Sequence, residues 1–209
     1  MKHYIDLGTH KFEGFNEYRE ILGIDESWCI YCYEANPNLY EEVKLIAEEY
    51  KSKYNLFIFE NKVVSDNNEF IIFHAHKGAW WKFDNNKYDE TYTWGSNALE
   101  NPPTYDYGNG TIFDSYDTTV QCINILDIYD NICNNDAKAE IYIKCDIEGS
   151  EYKVVPKLLS SSNINKLKAI YIEWHERFWS GEDYNLKILE KNDLINKLTS
   201  IGIECSCHH

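Results

Sequence analysis

The sequence predicts an α/β fold, a single domain built on a doubly wound, mostly parallel β-sheet. Three observations predict it. Tyr4-Ile5-Asp6-Leu7-Gly8 and Ile141-Tyr142-Ile143-Lys144-Cys145-Asp146-Ile147-Glu148-Gly149 are apolar, β-branched runs that each deliver a carboxylate and then a glycine, as buried parallel strands do at the ligand-binding edge of a sheet. Strand-like and helix-like segments alternate along the chain, which requires right-handed crossovers. The 209 residues suffice for a full core without disulfide or metal staples.

The elements follow in order. Residues 4–8 read as the first strand, and 15–22 as a helix with Phe15, Tyr18 and Leu22 on one face. Residues 29–34 form the second strand. Asn36-Pro37 then starts a helix, Asn as cap and Pro at the first helical position, with Leu39, Val43, Ile46 and Tyr50 at helical spacing. Residues 55–59, 69–75, 141–145 and 168–174 read as strands, 150–160 and 184–199 as helices, and 201–205 as a final edge strand. Neither an internal repeat nor a linker interrupts them.

From about Lys77 to Thr119 the rhythm breaks. So long an insertion is typically a lid or binding loop. Its aromatic residues, Trp80, Trp81 and Trp94 among them, alternate with Asn, Asp, Thr and Gly. That mixture suits a sugar acceptor, whose C–H faces stack on rings while polar groups take its hydroxyls. The same rings could equally pack the insertion onto the sheet.

Composition narrows the partners. The net charge is −15, and no Lys/Arg cluster supplies the basic face that a nucleic acid needs. No apolar run approaches the roughly 20 residues of a membrane span. The strand pattern beginning at Tyr4 leaves no room for a signal peptide, so a cytoplasmic protein is expected. The seven cysteines read as reduced core residues, because the odd spacing of Cys29 and Cys32 on a strand turns them to opposite faces. His74 and His76 share a strand face, and Cys205-Ser206-Cys207-His208-His209 has the look of a metal clip; two isolated histidines and a fraying edge strand are the simpler readings.

The loop Gly8-Thr9-His10-Lys11-Phe12-Glu13-Gly14 departs from the dinucleotide fingerprint, since His10 replaces a second glycine. Glu34, at the end of the second strand, can accept both ribose hydroxyls of a nucleoside. Spacing alone leaves NAD and S-adenosylmethionine both open, and Asp6 and Glu34 could also be plain strand-end and cap acids.

Longer matches decide between them. Tyr4 to Gly8, Tyr33-Glu34-Ala35-Asn36-Pro37, Asn61 to Asp66, Ile125-Leu126-Asp127, Lys144 to Glu151 and Ile172-Glu173-Trp174-His175 resemble, in order, the motifs of the FkbM family of methyltransferases. The Lys144–Glu151 segment is the most specific of them. Ala35 for a proline and His10 in the first loop are departures. The resemblance implies a Rossmann-like methyltransferase fold with S-adenosylmethionine bound by Asp6, Gly8, Thr9, His10, Glu34, Asn36, Asn61, Lys62 and Asp146. It also implies methylation of a sugar or glycan hydroxyl; compact viral relatives acting on rhamnose-containing glycans would place the chain in a host cytoplasm. On this reading Trp80, Trp81, Trp94, Ser96, Glu148 and Glu173 face the acceptor.

Methyl transfer to a hydroxyl requires a positioned acceptor and a base or metal. Asp146 and His175 follow successive strands expected side by side, and His175 is the expected base because a free histidine titrates near 6.5. Asp146 orients the acceptor or, with Glu173 and Glu148, binds a divalent ion such as magnesium or manganese. Glu148 and Glu151 could instead cap the following helix, and His175 could be an ordinary surface histidine. Methylation of RNA or protein, and a binding module that has lost catalysis, are the alternatives. Monomer and homodimer are both compatible with the sequence.

Overall fold

The computed structural model describes residues 1–81, 87–89, 96–99 and 111–207, and for 77–81, 87–89 and 111–114 the strand path alone. The first half runs β1 (Lys2–Leu7), α1 (Glu13–Leu22), β2 (Cys29–Tyr33), α2 (Pro37–Lys51), β3 (Leu56–Glu60), β4 (Val63–Ser65) and β5 (Phe70–Trp81). The second runs β6 (Lys87–Asp89), β7 (Thr111–Asn124), α3 (Ile125–Asn135), β8 (Glu140–Cys145), α4 (Glu151–Leu159), β9 (Leu167–Ile172), α5 (Gly181–Ser200) and β10 (Glu204–Cys207).

Six strands form the main sheet in the order β10-β9-β8-β1-β2-β3, with every neighbouring pair parallel. The fold is Rossmann-like: the chain moves outward from β1 to β3, then returns to the other side of β1 with β8. Strand alternation sends Ile5, Leu7, Ile141 and Ile143 into a core shared with α3, α4 and α5. Tyr4, Ile30 and Phe57 face the opposite core, under α1 and α2. Cys29 and Cys32 lie in these two different cores, as their odd spacing requires. None of the seven cysteines is in a disulfide.

Local signals account for the helices. Asn36 caps α2, its side chain accepting from the amides of Asn38 and Leu39, and Pro37 opens the first turn. Leu39, Val43 and Tyr50 are buried as expected, but Ile46 is 41% exposed and Ala47 takes the inward position. The next core-facing step after Val43 falls four residues on, not three. α3 was not anticipated; Asn124 caps it through the Leu126 amide, and Ile125, Ile128, Tyr129, Ile132 and Cys133 form its buried stripe.

The described strands of the expected insertion belong to a second sheet, ordered β4-β7-β5-β6. Its backbone is a long antiparallel ladder from Phe70↔Gln121 to Trp81↔Thr111, with an irregularity between His76 and Gly78. The strand expected at 69–75 therefore runs on to Trp81. Trp80 and Trp81 lie on β5, but their side chains, all of Trp94 and the tail pair His208-His209 lie outside the described residues. No helix of the described chain is long and apolar enough to cross a membrane.

Candidate functional site

The site forms where the strand order reverses, at the carboxyl ends of β1 and β8. Gly8 turns the chain there with φ +77°, and a Cβ on it would sit 1.8 Å from the Asp146 carbonyl oxygen. The two strand ends thus touch backbone to backbone, and the Asp146 amide donates to the Leu7 carbonyl at 3.0 Å. The Gly8 and Thr9 amides both donate to the Tyr33 carbonyl, at 3.0 and 3.1 Å. His10 and Phe12 also adopt positive φ, a strained choice for non-glycine residues. Phe12 is fully buried against Phe15, Tyr50, Phe57 and Phe59, and that packing offsets the strain.

Asp6 and Lys144 are partners in the β1–β8 register and point to the same side of the sheet. Buried Lys144 donates to the Gly8 carbonyl at 2.6 Å, and its Nζ lies 3.4 Å from both Asp6 Oδ1 and Asp146 Oδ2. Gly14 makes room for it, since a Cβ there would meet Lys144 Cε at 3.0 Å. Burial alone would lower the Lys144 pKa, but the two carboxylates hold it above the ordinary lysine value. Burial raises the Asp6 carboxyl to about 6 against the pull of Lys144.

Glu34 ends β2 with its carboxylate turned back into the loop. Its two oxygens accept from the His10 amide at 2.7 Å and the Asn36 amide at 2.8 Å. Burial raises its pKa, while these amides pull it the other way. Asn61 bonds the carbonyls of Glu34 and Ala35 at 2.8 and 3.0 Å.

His175 sits in a cage of acids and is fully buried. Glu151 Oε1 accepts from both its backbone amide and its Nδ1, each at 2.8 Å. Since a carboxylate only accepts, Nδ1 carries a proton. Nε2 lies 3.2 Å from Glu148 Oε2, 3.5 Å from Glu173 Oε1 and 3.7 Å from Asp146 Oδ1. Burial favours the neutral ring, but the bonds and charges of Glu148 and Glu151 outweigh it and hold the pKa well above the usual histidine range. The ring is therefore not the ordinary surface histidine that the sequence left open. Glu151, expected as a helix cap, is buried, and its Oε2 accepts from the Gly149 amide at 2.9 Å. Glu173 is held by Arg177, whose two terminal nitrogens each lie 3.1 Å from Oε1.

A cavity of about 540 Å³ opens over this corner. Of the residues expected there, Gly8, Thr9, His10, Glu34, Lys62, Ser96, Asp146, Glu148 and Glu173 line it. Asp6, Asn36, Asn61 and His175 are not among its lining residues. Asn36 is occupied with capping α2 and with the His76 carbonyl, 2.9 Å away. Lys144, Glu13, Glu17 and Arg177 line the cavity without having been expected to. Glu13 and Glu17 share a face of α1, but the helix expected at 15–22 leaves Glu13 in the loop; Lys144 lies inside a strand run, where nothing marks it as cavity-facing.

His74 bonds Asp117 at 2.6 Å, whereas His76 is buried; among the described residues the one cluster with metal-ligand spacing is Asp146, Glu148 and His175. Comparison with protein-family models, curated proteins and solved structures found no match to this chain.

Proposed function

We propose that this chain is an S-adenosylmethionine-dependent O-methyltransferase of the FkbM kind, acting on a hydroxyl of a sugar or glycan. The observation that carries the reading is the sign of the charge around the cavity. A sheet of this order also serves dinucleotides, whose pyrophosphate rests on the N-terminus of the first helix. Here α1 contributes Glu13 and Glu17 to the cavity, and the cation beside its first turn, Lys144, is already held between Asp6 and Asp146. Burial would raise Glu13, but hydrogen bonds from His10 and the Lys11 amide hold its pKa below the usual value, so it is charged at neutral pH. A pyrophosphate would meet like charge there, whereas a ligand bearing a sulfonium and an ammonium meets opposite charge.

The remaining lining supports the same ligand. Glu34 keeps lone pairs beyond the two amides it accepts, enough for a ribose diol. Val63, Val64 and Phe73 offer an apolar wall for a base. S-adenosylmethionine, when bound, supplies a methyl group on a sulfonium that departs as a neutral thioether. Asp146, on the cavity wall, would hold the acceptor hydroxyl and take its proton. His175, locked by Glu151, positions Asp146 and Glu148 rather than touching the acceptor. The same excess of carboxylates disfavours a phosphodiester acceptor such as RNA.

Calorimetry with S-adenosylmethionine, its demethylated product and NAD tests the donor. Binding of the first two and not of NAD is expected, and Glu34→Ala should weaken it about tenfold or more. Isotope-labelled donor incubated with a glycan pool and read by mass spectrometry tests the acceptor. A chain that binds neither donor nor product is not a methyltransferase, and label in RNA but in no glycan would reassign the acceptor.

A further inference from the structure

We propose that Asp146, Glu148 and His175 form a divalent-metal site, with Glu151 as the acid that orients the histidine. The ligand atoms of the three residues lie within 4.8 Å of one another. His175 Nε2 is 3.2 Å from Glu148 Oε2 and 3.7 Å from Asp146 Oδ1. Donors held about 2.1 Å from a common ion stand roughly 3.0–3.4 Å apart in octahedral or tetrahedral shells; the two pairs with His175 are within a few tenths of an ångström of that spacing, and Asp146 and Glu148 close on each other from no more than 4.8 Å.

Acidic side chains gather on many surfaces without an ion; the histidine distinguishes this cluster. Its ring is fully buried, and Nε2, 3.2 Å from Glu148 Oε2, faces the acids without the geometry of a good hydrogen bond, so an ion would take the place of the proton that they hold there. On the other side Nδ1 bonds the fully buried Glu151 at 2.8 Å. A carboxylate fixing one ring nitrogen so that the other faces a cation is the usual outer shell of a metal-bound histidine. Charge argues the same way. Asp6, Asp146, Glu148, Glu151 and Glu173 crowd this corner, and Lys144 and Arg177 are its permanent cations.

The sequence groups Asp146 and Glu148 with Glu173. In the structure Arg177 holds Glu173, and His175 stands in the third position. One nitrogen and two carboxylate oxygens suit manganese or zinc better than calcium, which prefers an all-oxygen shell. Three protein ligands leave positions open, and Asp146 and Glu148 line the cavity. A hydroxylated ligand could complete the shell from that side; this last step rests on the methyl-transfer reading, whereas the metal site does not.

The test uses the full chain, stripped with a chelator and titrated with manganese chloride without donor or acceptor. Free ion is followed by electron paramagnetic resonance, with zinc as competitor. One ion per chain is expected, displaced by zinc. Glu148→Gln should lower affinity at least about tenfold, and Glu151→Gln about 10–100-fold, with circular dichroism confirming that each variant is folded. Asp146→Asn serves if either variant fails to fold. No binding by the parent chain at millimolar ion, or affinity unchanged in the folded variants, overturns the site. Because no methyl donor is present, a chain that binds manganese yet transfers no methyl refutes only the proposed function.

Discussion

Gly8 admits no side chain. Its φ of +77° is unfavourable for an L-residue, and the atom that a Cβ would strike belongs to backbone, the Asp146 carbonyl. Neither a rotamer change nor a small tilt relieves that contact without parting β1 from β8. Gly8→Ala should therefore destabilise the fold by about 2–3 kcal/mol or more and deform the cavity; urea unfolding and donor calorimetry measure the two effects. Asp6 gives a pH signature. Its folded carboxyl is raised to about 6 from an ordinary 3.8, so the folded state binds the extra proton between those values. Its contribution is then present at low pH and lost as pH rises through that window, by up to about 3 kcal/mol. Wild type minus Asp6→Asn, compared by urea unfolding at pH 4, 5 and 6, should decline across the series. An increasing or flat difference would mean that Lys144 outweighs burial at Asp6. At this scale the sequence was half legible. Gly8, Glu34 and Asp146 announce themselves by ending buried strands, but Lys144 and Glu151 do not: a lysine in a strand reads as solvent-facing, and only the β1–β8 register puts Asp6 opposite it.

Among the elements, the strands of the main sheet and helices α1, α2, α4 and α5 could be read from spacing, with ends displaced by a few residues. α2 exposes the limit of that reading. Ile46 and Ala47 compete for one inward position, and Ala47 takes it. Ile46→Ala should accordingly change stability by no more than about 0.5 kcal/mol, while Leu39→Ala, a buried truncation on the same helix, should cost about 2–5 kcal/mol. Thermal and urea unfolding of the pair decide it; equal losses would mean that the helix presents a different face. α3 was missed although its stripe of Ile125, Ile128, Tyr129, Ile132 and Cys133 has helical period, because Asn, Ile, Asp and Cys have low helix propensity and the preceding β7 masks its start. β4 and β7 escaped for another reason. A three-residue strand is shorter than any periodicity, and a ladder of polar-aromatic alternation resembles a binding loop until its partner β5 is found.

For the molecule as a whole, alternation of strands and helices made parallel pairing legible, but strand order lies in tertiary contacts that no local signal carries. The net charge of −15 was legible and acquires a location only in the fold, where part of it gathers around the cavity. That placement predicts linkage. A ligand bound only by the folded state stabilises it by RT ln(1 + [L]/Kd), about 2.7 kcal/mol at a hundredfold excess over Kd. Saturating S-adenosylmethionine should raise the melting temperature by several degrees, and NAD at equal concentration should leave it unchanged. A rise with NAD alone would overturn the charge argument.

β1 lies between β2 and β8, yet its lysine clasp, from the Gly8 carbonyl to Lys144, spans 136 positions of chain. A nascent polypeptide emerging at about 5–20 residues per second presents β1, β2 and β3 many seconds before β8 exists to cover the open side of β1. Through that interval Asp6 has no counter-ion, Gly8 has no strand to press against, and a central strand stands as an unprotected edge. Contacts so distant in sequence close slowly, so the corner that holds the candidate site closes late. A chain arrested before β8 would hold α1 and α2 on three strands of the main sheet, with the second sheet and α3 in place but one wall of the cavity missing, a ready substrate for chaperones and proteases.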